Sequence, residues 1–467
     1  MATVAERVGA EPGSPASAAA PAAAGLPAGV MVCMVVGLAV RVVYTTVVHP
    51  HVMGLSDAGT NHLAANLLAS GHGLIRPYDY IGRHVVRQSA EFPPFFTLVL
   101  CGVAALGGTS LLAQRLVMCV VGTLTVGATG LLGRRVAGER AGVMAAAIAA
   151  VHPMLFGSDA VLMSETLDAL VVTGGLLVAL WVVDAPSPRR WAALGASIGA
   201  AALTRGEDAL LVFVLALPLA WWVARRDAGR AGVGGPAVPA TGMVGPAVRA
   251  LAIVAVAAAA VVLPWTIRNA VTFHAFVPIS DDLGGALSGS NCGATYHGPD
   301  TGLWLLSCND GVRITGLDEA AAAARYRAVG LHYAGAHATE VPRVIAVRVL
   351  RVWGLYHPAQ QVGFETSEGR TKTGQTVGQR LDWLLFIPAA AGAWVLRRRA
   401  EGIVLLAPVA VATLGAALTY GNERFREAAE PAVIVLAVLG ALTLARRWNT
   451  RGNRRMGQNA RVPAEER

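Results

Sequence analysis

The sequence has little charge and almost no lysine. Charged residues make up 14% of its 467 residues, hydrophobic residues make up 54%, and Lys372 is the only lysine. Soluble domains carry about 25% charged residues, and the mean hydropathy here is +0.53. The composition therefore excludes an ordinary soluble protein and predicts one whose solvent is lipid.

Several motifs are also missing. The chain contains no GxxxxGK[ST], no HExxH and no GxSxG, which argues against ATP-driven transport, zincin proteolysis and the usual serine hydrolase. The five cysteines lack the CxxC or Cys/His spacing of a zinc site. Much of the +9 net charge lies in arginine clusters beside apolar segments. The charge thus indicates membrane topology and not a nucleic-acid partner.

Apolar runs that approach the ~20 residues of a bilayer span recur along most of the chain. They lie near residues 26–46, 93–108, 111–131, 141–156, 161–183, 191–203, 208–224, 249–267, 383–396, 402–419 and 431–447. They predict an all-α polytopic membrane protein of 10–11 hydrophobic helices, with one membrane domain over 26–447. A disordered cytoplasmic tail is predicted at 1–25 and a basic cytoplasmic tail at 448–467.

Arginine clusters should face the cytoplasm, which predicts a multi-pass protein of the plasma (inner) membrane. Two polar loops, residues 47–92 and 268–382, then lie on the extracytoplasmic side, and the active site is expected there. Three full spans before Arg134 would violate the charge rule, so the short run 93–108 is expected to be re-entrant or interfacial. Within the second loop, 317–353 predicts juxtamembrane helices, the last lying on the bilayer with its arginines on one side.

Carboxylates gather at the predicted extracytoplasmic ends of the spans. Asp57 lies about ten residues beyond the first helix, where helix capping and catalysis both remain open. Glu165 and Asp168 are three residues apart at the start of an apolar helix and share one face. A carboxylate inside a span is costly unless it lines a cavity, which favours a functional role for Glu165.

Arginines and two cysteines also occur in these polar segments. Arg205, Arg424 and Arg426 lie at turns on the same predicted side. They are either solvated caps with local ion pairs or ligands for an anionic lipid head, because arginine binds phosphate bidentately. Cys292 and Cys308 share the second loop and are a candidate disulfide pair.

Six segments, taken in order, resemble the GT-C superfamily of membrane glycosyltransferases. The nearest branch contains the protein O-mannosyltransferases (glycosyltransferase family 39) and the lipid A aminoarabinose transferase. The segments are SDAGTNHLAANLLASGHG from Ser56, EFPPFFTLVL from Glu91, HPMLFGSDAVLMSE from His152, ALTRGED from Ala202, PWTIRNAVTFHAFVPIS from Pro264 and NERFREAAEP from Asn422.

The resemblance implies a GT-C-like bundle that takes a hexosyl or pentosyl group from a polyprenyl-phosphate donor and transfers it with inversion to an acceptor hydroxyl. The acceptor would be a cell-envelope glycan, lipid or protein. Asp57 would be the general base, with Glu165 as a second catalytic carboxylate. The donor phosphate would bind Arg205, Arg268, Arg424 and Arg426. His62 and Asp159 would position the substrate.

One departure from the family concerns a metal. Many relatives carry an acidic pair in the first loop, whereas Ala58 follows Asp57 here, so a divalent metal held by such a pair is not predicted. Two other functional classes remain open: a secondary transporter or lipid flippase, although no inverted repeat is visible, and an inactive GT-C-like scaffold.

Overall fold

The computed structural model describes residues 25–51, 57–231 and 241–459. The predicted N-terminal tail, apart from Gly25, and the last eight residues of the predicted C-terminal tail lie outside this range. Within it the chain is all-helical, and the only β pairing is an isolated bridge between Ile75 and Gln88. The predicted fold class, an all-α polytopic membrane protein, is confirmed.

The α-helices are α1 (Ala28–Val43), α2 (Asp57–Ala69), α3 (Pro77–Arg83), α4 (Pro94–Ala105), α5 (Leu111–Ala137), α6 (Glu139–Val151), α7 (Pro153–Val161), α8 (Glu165–Asp184), α9 (Pro188–Ala202), α10 (Leu217–Ala231), α11 (Thr241–Phe273), α12 (Leu283–Ser290), α13 (Gly293–Tyr296), α14 (Glu319–Ala336), α15 (Val341–Val352), α16 (Pro358–Ser367), α17 (Lys372–Leu396), α18 (Ala400–Leu418) and α19 (Glu430–Asn459). Short 3₁₀ helices cover Gly206–Leu210, Leu306–Cys308 and Glu423–Ala429, and π-helical turns cover Tyr44–Val48 and Val212–Ala216.

Seven helical stretches of the described chain are long and apolar enough to cross a membrane, fewer than the eleven predicted runs. They are Ala28–Val48, Leu111–Ala137, Glu165–Asp184, Gly206–Arg230, Met243–Phe273, Ala400–Leu418 and Glu423–Trp448, and α6 with α7, bent by 47°, would make an eighth. Two predicted runs form shorter helices, namely α4 with 12 residues and α9 with 15. At 1.5 Å per residue these measure about 18 and 22 Å, against a hydrocarbon core of about 30 Å.

One hydrogen bond shows whether the chain crosses the bundle an even or an odd number of times before Arg134. Arg134, near the end of α5, donates from Nη1 to the carbonyl oxygen of Gly25 at 3.0 Å. The start of α1 and the end of α5 therefore lie at the same end of the bundle. Two crossings, by Ala28–Val48 and by α5, satisfy this geometry, and α4 does not cross, in agreement with the prediction for 93–108.

Further arginines collect at this end, which we call the arginine end. Arg135 forms an ion pair with Asp184 at the end of α8. Arg226 donates to the carbonyl oxygen of Val183 at 2.6 Å. The starts of α8 and of the Gly206–Arg230 span consequently lie at the opposite end, together with the first loop (47–92).

Small residues let the helices pack closely. A Cβ atom at Gly392 of α17 would collide with the backbone oxygen of Leu436 in α19, and one at Gly440 would collide with the oxygen of Pro388. Membrane helices associate largely through such close backbone approaches. The α17–α19 pair is thereby fixed as the platform on which the turn Glu423–Ala429 rests.

Buried arginines hold the polar loops to the bundle. Arg115 in α5 donates from Nε to the oxygen of Ala160 at 2.6 Å and from Nη1 to the oxygen of Pro50 at 2.9 Å, and Nη2 reaches the oxygen of His49. A guanidinium group cannot lose its proton in a protein and must pair all its donors when it is buried. Arg115 therefore fixes the start of the first loop against α7.

Helix α15 differs from its prediction as a helix lying on a bilayer. Arg348 and Arg351, which the sequence placed on its polar face, are 4% and 0% exposed. Arg348 donates to the oxygen of Ser290 at 2.6 Å. Arg351 donates to the oxygens of Thr301 and Pro299 at 2.6 and 2.7 Å. The arginine side of α15 thus packs inward against the segment 290–301.

The second loop (268–382) is closed on itself and joined to the first. Cys292 and Cys308, the predicted pair, are linked by a disulfide bond. The Asp281 amide donates to the oxygen of Ala90 at 3.1 Å, and the Ala90 amide donates to Glu319 Oε1 at 2.5 Å. These contacts place the N-terminal part of the second loop directly over the end of the first.

A group of acids lies at this junction. Burial raises the pKa of Asp281 to about 8, and the negative charges of Glu319 and Glu91 are the next largest causes of this rise. Burial, and next Glu319, raise the pKa of Glu91 to about 7. These carboxyls hold protons in the folded protein that the unfolded chain has released above about pH 4. The stability that they contribute is therefore fully present below pH 4 and is lost as the pH rises through 7 to 8.

The Arg351→Ala variant should lower the free energy of unfolding by about 3 kcal/mol, because each buried acceptor left without a donor costs about 1–3 kcal/mol. Thermal unfolding in detergent measures the effect, and the exposed Arg327→Ala in α14 is the matched control. Equal melting temperatures for the two variants would contradict a structural role for the inward arginine side of α15.

The Asp281→Asn variant should weaken the pH dependence of stability. The wild-type melting temperature should fall by several degrees between pH 5 and pH 9, whereas the amide that this substitution introduces has no proton to release. Asp310→Asn, at an exposed position of the same loop, should keep the wild-type slope. If the slope of Asp281→Asn also matches wild type, the acids at this junction do not carry the effect.

Candidate active site

Four of the predicted site residues meet at the end of the bundle opposite the arginine end. Arg424 lies at the centre: its Nη1 is 3.2 Å from Asp57 Oδ2 and 3.5 Å from Glu368 Oε2, and its Nε is 3.7 Å from Glu165 Oε1. We call Asp57, Glu165, Arg205, Glu368 and Arg424 the site cluster. It unites the first loop, α8, the end of α9, the second loop and the start of the last span.

Helix boundaries place these side chains. Asp57 and Glu165 are the first residues of α2 and α8. Leu162, in the left-handed region with φ 62°, turns the chain sharply between α7 and α8. Asn422 caps the 3₁₀ turn by accepting the Arg424 amide at 3.0 Å. Asp57, Glu165, Arg205 and Arg424 thus lie at helix starts and Glu368 directly follows the end of α16, so each lies where the chain changes direction and a polar side chain can point across the end of the bundle.

Arg205 supplies a second guanidinium group. Its Nη1 is 2.5 Å from Glu165 Oε1, and its Nε is 2.8 Å from Glu207 Oε1. Both guanidinium groups approach the ring of Phe425, Arg205 at 5.2 Å and Arg424 at 5.8 Å from its centroid. Glu165 is therefore held between two cations over an aromatic surface.

The charges do not balance within this arrangement. Two guanidinium cations face four carboxylates, those of Asp57, Glu165, Glu207 and Glu368. Burial raises the pKa of Glu368. Burial raises the pKa of Asp282 to about 6, and the negative charge of Asp57 is the next largest cause of this rise. The site is thus an acidic environment around a pair of arginines.

Access differs among the members. The side chain of Asp57 is 37% exposed, that of Arg424 is 11% exposed and that of Glu165 is 2% exposed. Asp57 therefore lies at the mouth, the guanidinium groups are shielded behind it, and Glu165 is at the base. A molecule arriving from outside the bundle would meet Asp57 first.

An aromatic surface adjoins the cluster. Arg424 Nη2 is 3.5 Å from the hydroxyl of Tyr420, and the Tyr420 ring lies 4.8 Å from Phe425 and 6.4 Å from Trp304, centroid to centroid. Burial raises the pKa of Tyr420, so its hydroxyl remains a neutral donor and acceptor. The arginine pair thus has charged groups on one side and aromatic rings on another.

Two predicted phosphate ligands lie elsewhere. Arg268 in α11 donates to the oxygens of Ser89 at 2.8 Å and Leu74 at 3.1 Å, which ties the first loop to α11. Arg426, only two residues after Arg424, points the other way. It is 1% exposed and pairs with Asp382 at 2.5 Å and Glu430 at 3.3 Å.

The two predicted substrate-positioning residues also lie outside the cluster. His62 Nδ1 is 2.9 Å from Gln114 Oε1 on α5. Asp159 is 1% exposed and its Oδ2 is 2.6 Å from Nε of Arg41. Both make contacts within the bundle, and neither contacts Asp57, Glu165 or Arg424 in the described part of the chain.

Sequence reasoning missed Glu368, Asp282 and Tyr420. All three come from polar stretches without periodicity, and Glu368 is separated by more than 300 residues from Asp57, the carboxylate that shares Arg424 with it. Arg370, also missed, is buried and pairs with Glu427 at 2.8 Å. The one available signal was the clustering of charge in ETSEGR, which a solvated loop would show equally well.

Part of the sequence matches a known family model, and the fold is similar to that of solved membrane-protein structures. Residues 91–230 match the family model for dolichyl-phosphate-mannose-protein mannosyltransferase. No curated protein sequence matches the chain significantly.

Among solved structures, the archaeal oligosaccharyltransferase AglB from Archaeoglobus fulgidus, in complex with an inhibitory peptide and a dolichol-phosphate, aligns with a TM-score of 0.51 and 15% identity. The alignment covers 94% of this chain and 52% of that one. The same enzyme in complex with Zn and sulfate gives a TM-score of 0.51 at 14% identity, covering 91% and 50%. ArnT from Cupriavidus metallidurans bound to undecaprenyl phosphate gives 0.43 at 17% identity, covering 88% and 78%.

The chain spans about half the length of the oligosaccharyltransferase structures it matches. At this level of identity the alignments establish the fold and not the activity. Residues 91–230 therefore carry the mannosyltransferase family pattern, and the described chain has a multi-pass membrane fold similar to that of the oligosaccharyltransferase AglB.

Proposed function

We propose that this protein is an inverting glycosyltransferase that moves a sugar from a polyprenyl-phosphate donor to an acceptor hydroxyl. The observation that carries the proposal is the accessible carboxylate of Asp57 at 3.2 Å from Arg424, in a cluster that also holds Glu165 and Arg205. A base and a pair of phosphate-binding cations within one site are what this reaction needs.

Asp57 acts on the acceptor. Its free carboxylate oxygen accepts the hydroxyl proton while the hydroxyl oxygen attacks the anomeric carbon from the side opposite the phosphate. The bond from the anomeric carbon to the phosphate oxygen breaks, and its electron pair stays with the phosphate. General base catalysis of this kind contributes about 10²–10⁴-fold in rate. Displacement from the opposite side inverts the anomeric configuration.

Arg424 and Arg205 bind the leaving phosphate. Among the described residues, both guanidinium groups pair only with side chains, which can rotate away when an anion arrives. A phosphate oxygen that replaces Asp57 on Arg424 would release that carboxylate to the acceptor. Donor binding would thereby free Asp57 to act as the base, because the phosphate takes the place of Asp57 on Arg424.

The surrounding acids act on the sugar. Glycosyl transfer passes through a transition state with positive charge on the sugar ring. The excess of carboxylates around the arginine pair, with Glu165 at its base, stabilises that charge. Tyr420 beside Arg424 offers a ring face and a hydroxyl on which the sugar can rest.

The remaining predicted residues have structural tasks in this proposal. Arg268 and His62 fasten the first loop through Ser89 and Gln114. Arg426 and Asp159 lie in buried ion pairs.

The site would face the extracytoplasmic side of the plasma (inner) membrane. The arginine end of the bundle is opposite the site cluster, and arginine-rich ends face the cytoplasm. The acceptor would then be a glycan, lipid or protein of the cell envelope. The structure of AglB, whose fold is similar, is in complex with a dolichol-phosphate, which supports a lipid-phosphate donor here.

Asp57→Asn should reduce transfer at least 100-fold, because the amide cannot accept the acceptor proton. Membranes containing the variant, supplied with labelled polyprenyl-phosphate sugars and cell-envelope acceptors, would report label transfer and lipid-phosphate release. Asp79→Asn is the matched control, since Asp79 lies in the same loop and pairs only with loop arginines at 3.9 Å among its described contacts.

Absence of turnover by the wild-type protein with every donor would contradict the proposed glycosyltransferase activity. Substrate or lipid translocation that survives Asp57→Asn would instead support the transporter or flippase. Absence of both transfer and translocation in a folded wild-type protein would support a scaffold.

Arg424→Lys should raise the KM for the donor at least tenfold while the protein remains folded. Lysine keeps the positive charge but cannot contact Asp57, Glu165 and Glu368 together or grip phosphate bidentately. Initial rates at varied donor concentration measure the effect, with Arg343→Lys as the control in α15. An unchanged KM for the donor would mean that the phosphate binds elsewhere.

A further inference from the structure

A second polar cluster lies inside the bundle, apart from the site cluster. His152, between α6 and α7, Asp382, midway along α17, and Glu430, at the start of α19, each offer one ligand atom, and these atoms lie within 4.8 Å of one another. All three side chains are buried, at 0%, 0% and 1% exposure. We call these residues the inner triad.

The ligand atoms face one another in the interior. His152 Nε2, Asp382 Oδ1 and Glu430 Oε2 are all buried, and apart from one another they have no hydrogen-bond partner among the described residues. Nε2 and Oδ1 are 3.0 Å apart. The opposite oxygens are occupied, because Arg426 Nη2 holds Asp382 Oδ2 at 2.5 Å and Nη1 holds Glu430 Oε1 at 3.3 Å.

Arg426 therefore orients both carboxylates. Metal-binding carboxylates are themselves commonly hydrogen-bonded on the side away from the metal. With Oδ2 and Oε1 fixed by one guanidinium group, Oδ1 and Oε2 are directed toward the imidazole. The imidazole nitrogen and two carboxylate oxygens make a ligand set that suits Zn²⁺.

The charges of the side chains around the inner triad favour a bound cation. Asp382, Glu430 and nearby Glu423 carry three negative charges when ionised, and Arg426 supplies one positive charge. Glu423 is held by Gln375 Nε2 at 2.8 Å and by Gln379 Nε2, which are neutral donors. A buried excess of two negative charges must be compensated by a bound cation or by protons.

We propose that the inner triad binds one divalent cation of the zinc type through His152 Nε2, Asp382 Oδ1 and Glu430 Oε2. The site is structural. It joins the bend between α6 and α7 to α17 and α19, and it holds the inner side of the turn that carries Arg424.

The test is the metal content of the full-length chain, purified in detergent, loaded with ZnCl₂ and then freed of unbound metal by gel filtration. Elemental analysis should find about one zinc per chain. His152→Gln and Asp382→Asn should each lower zinc retention at least tenfold. Asp57→Asn and Asp184→Asn should retain it, which separates the inner triad from the site cluster and from the arginine end.

A second readout does not require the variants to fold. Removing zinc from wild type with a chelator should lower its melting temperature by several degrees, and ZnCl₂ should restore it, because a ligand that binds only the folded state stabilises it. X-ray absorption of the loaded protein should show nitrogen and oxygen neighbours and no sulfur.

Two results would overturn the proposal. One is a folded wild-type protein that retains less than a tenth of an equivalent of zinc and melts identically with and without chelator, which would mean that protons balance the charge. The other is zinc retained by folded His152→Gln and Asp382→Asn but lost by Asp57→Asn, which would place the metal in the site cluster.

Discussion

This structure depends on the hydrogen bonds and ion pairs that buried guanidinium groups make. Arg41, Arg115, Arg351 and Arg426 are its largest fully buried side chains. Arginine cannot shed its charge, and its five donors need acceptors in a fixed planar arrangement. Where the interior is apolar, those acceptors come from the helix breaks and loops at the end of the bundle. Each arginine therefore selects one arrangement of the chain around it, and loops without regular structure acquire defined positions.

The type of acceptor separates structural arginines from those that can bind a ligand. Arg115, Arg268 and Arg351 each donate to two or more backbone oxygens, which cannot move away without unfolding the loop. Arg205 and Arg424 pair only with side chains in their described contacts, and they lie below an accessible carboxylate. Arg426 also pairs with side chains but is fully enclosed. Exchangeable partners and access together are the reasons for proposing Arg205 and Arg424, and not the other arginines, as the phosphate ligands.

Four of the candidate residues that the sequence suggested come together in the structure. Asp57, Glu165, Arg205 and Arg424 each lie at a helix start beside a polar turn, and the predicted topology brings such positions to one end of the bundle. Arg268, near the end of α11, and Arg426 also lie beside polar turns, yet they face other acceptors, because one helical or 3₁₀ residue step redirects a side chain by about 100–120°. Glu368 and the inner triad depend on contacts between separate segments of the chain, for which a single sequence holds no pattern.

The site cluster gains its precision from anchors placed two residues away. Arg424 faces the mouth, whereas Arg426 is buried against Asp382 and Glu430. Glu368 reaches Arg424, whereas Arg370 is buried against Glu427 at 2.8 Å. In both turns, one side chain points outward and its neighbour is locked inside. Breaking a buried ion pair costs about 3–5 kcal/mol, so the inner members resist displacement while the outer members exchange partners. The proposed exchange of Asp57 for a donor phosphate on Arg424 depends on this combination of outer side chains that can change partners and inner side chains that are fixed.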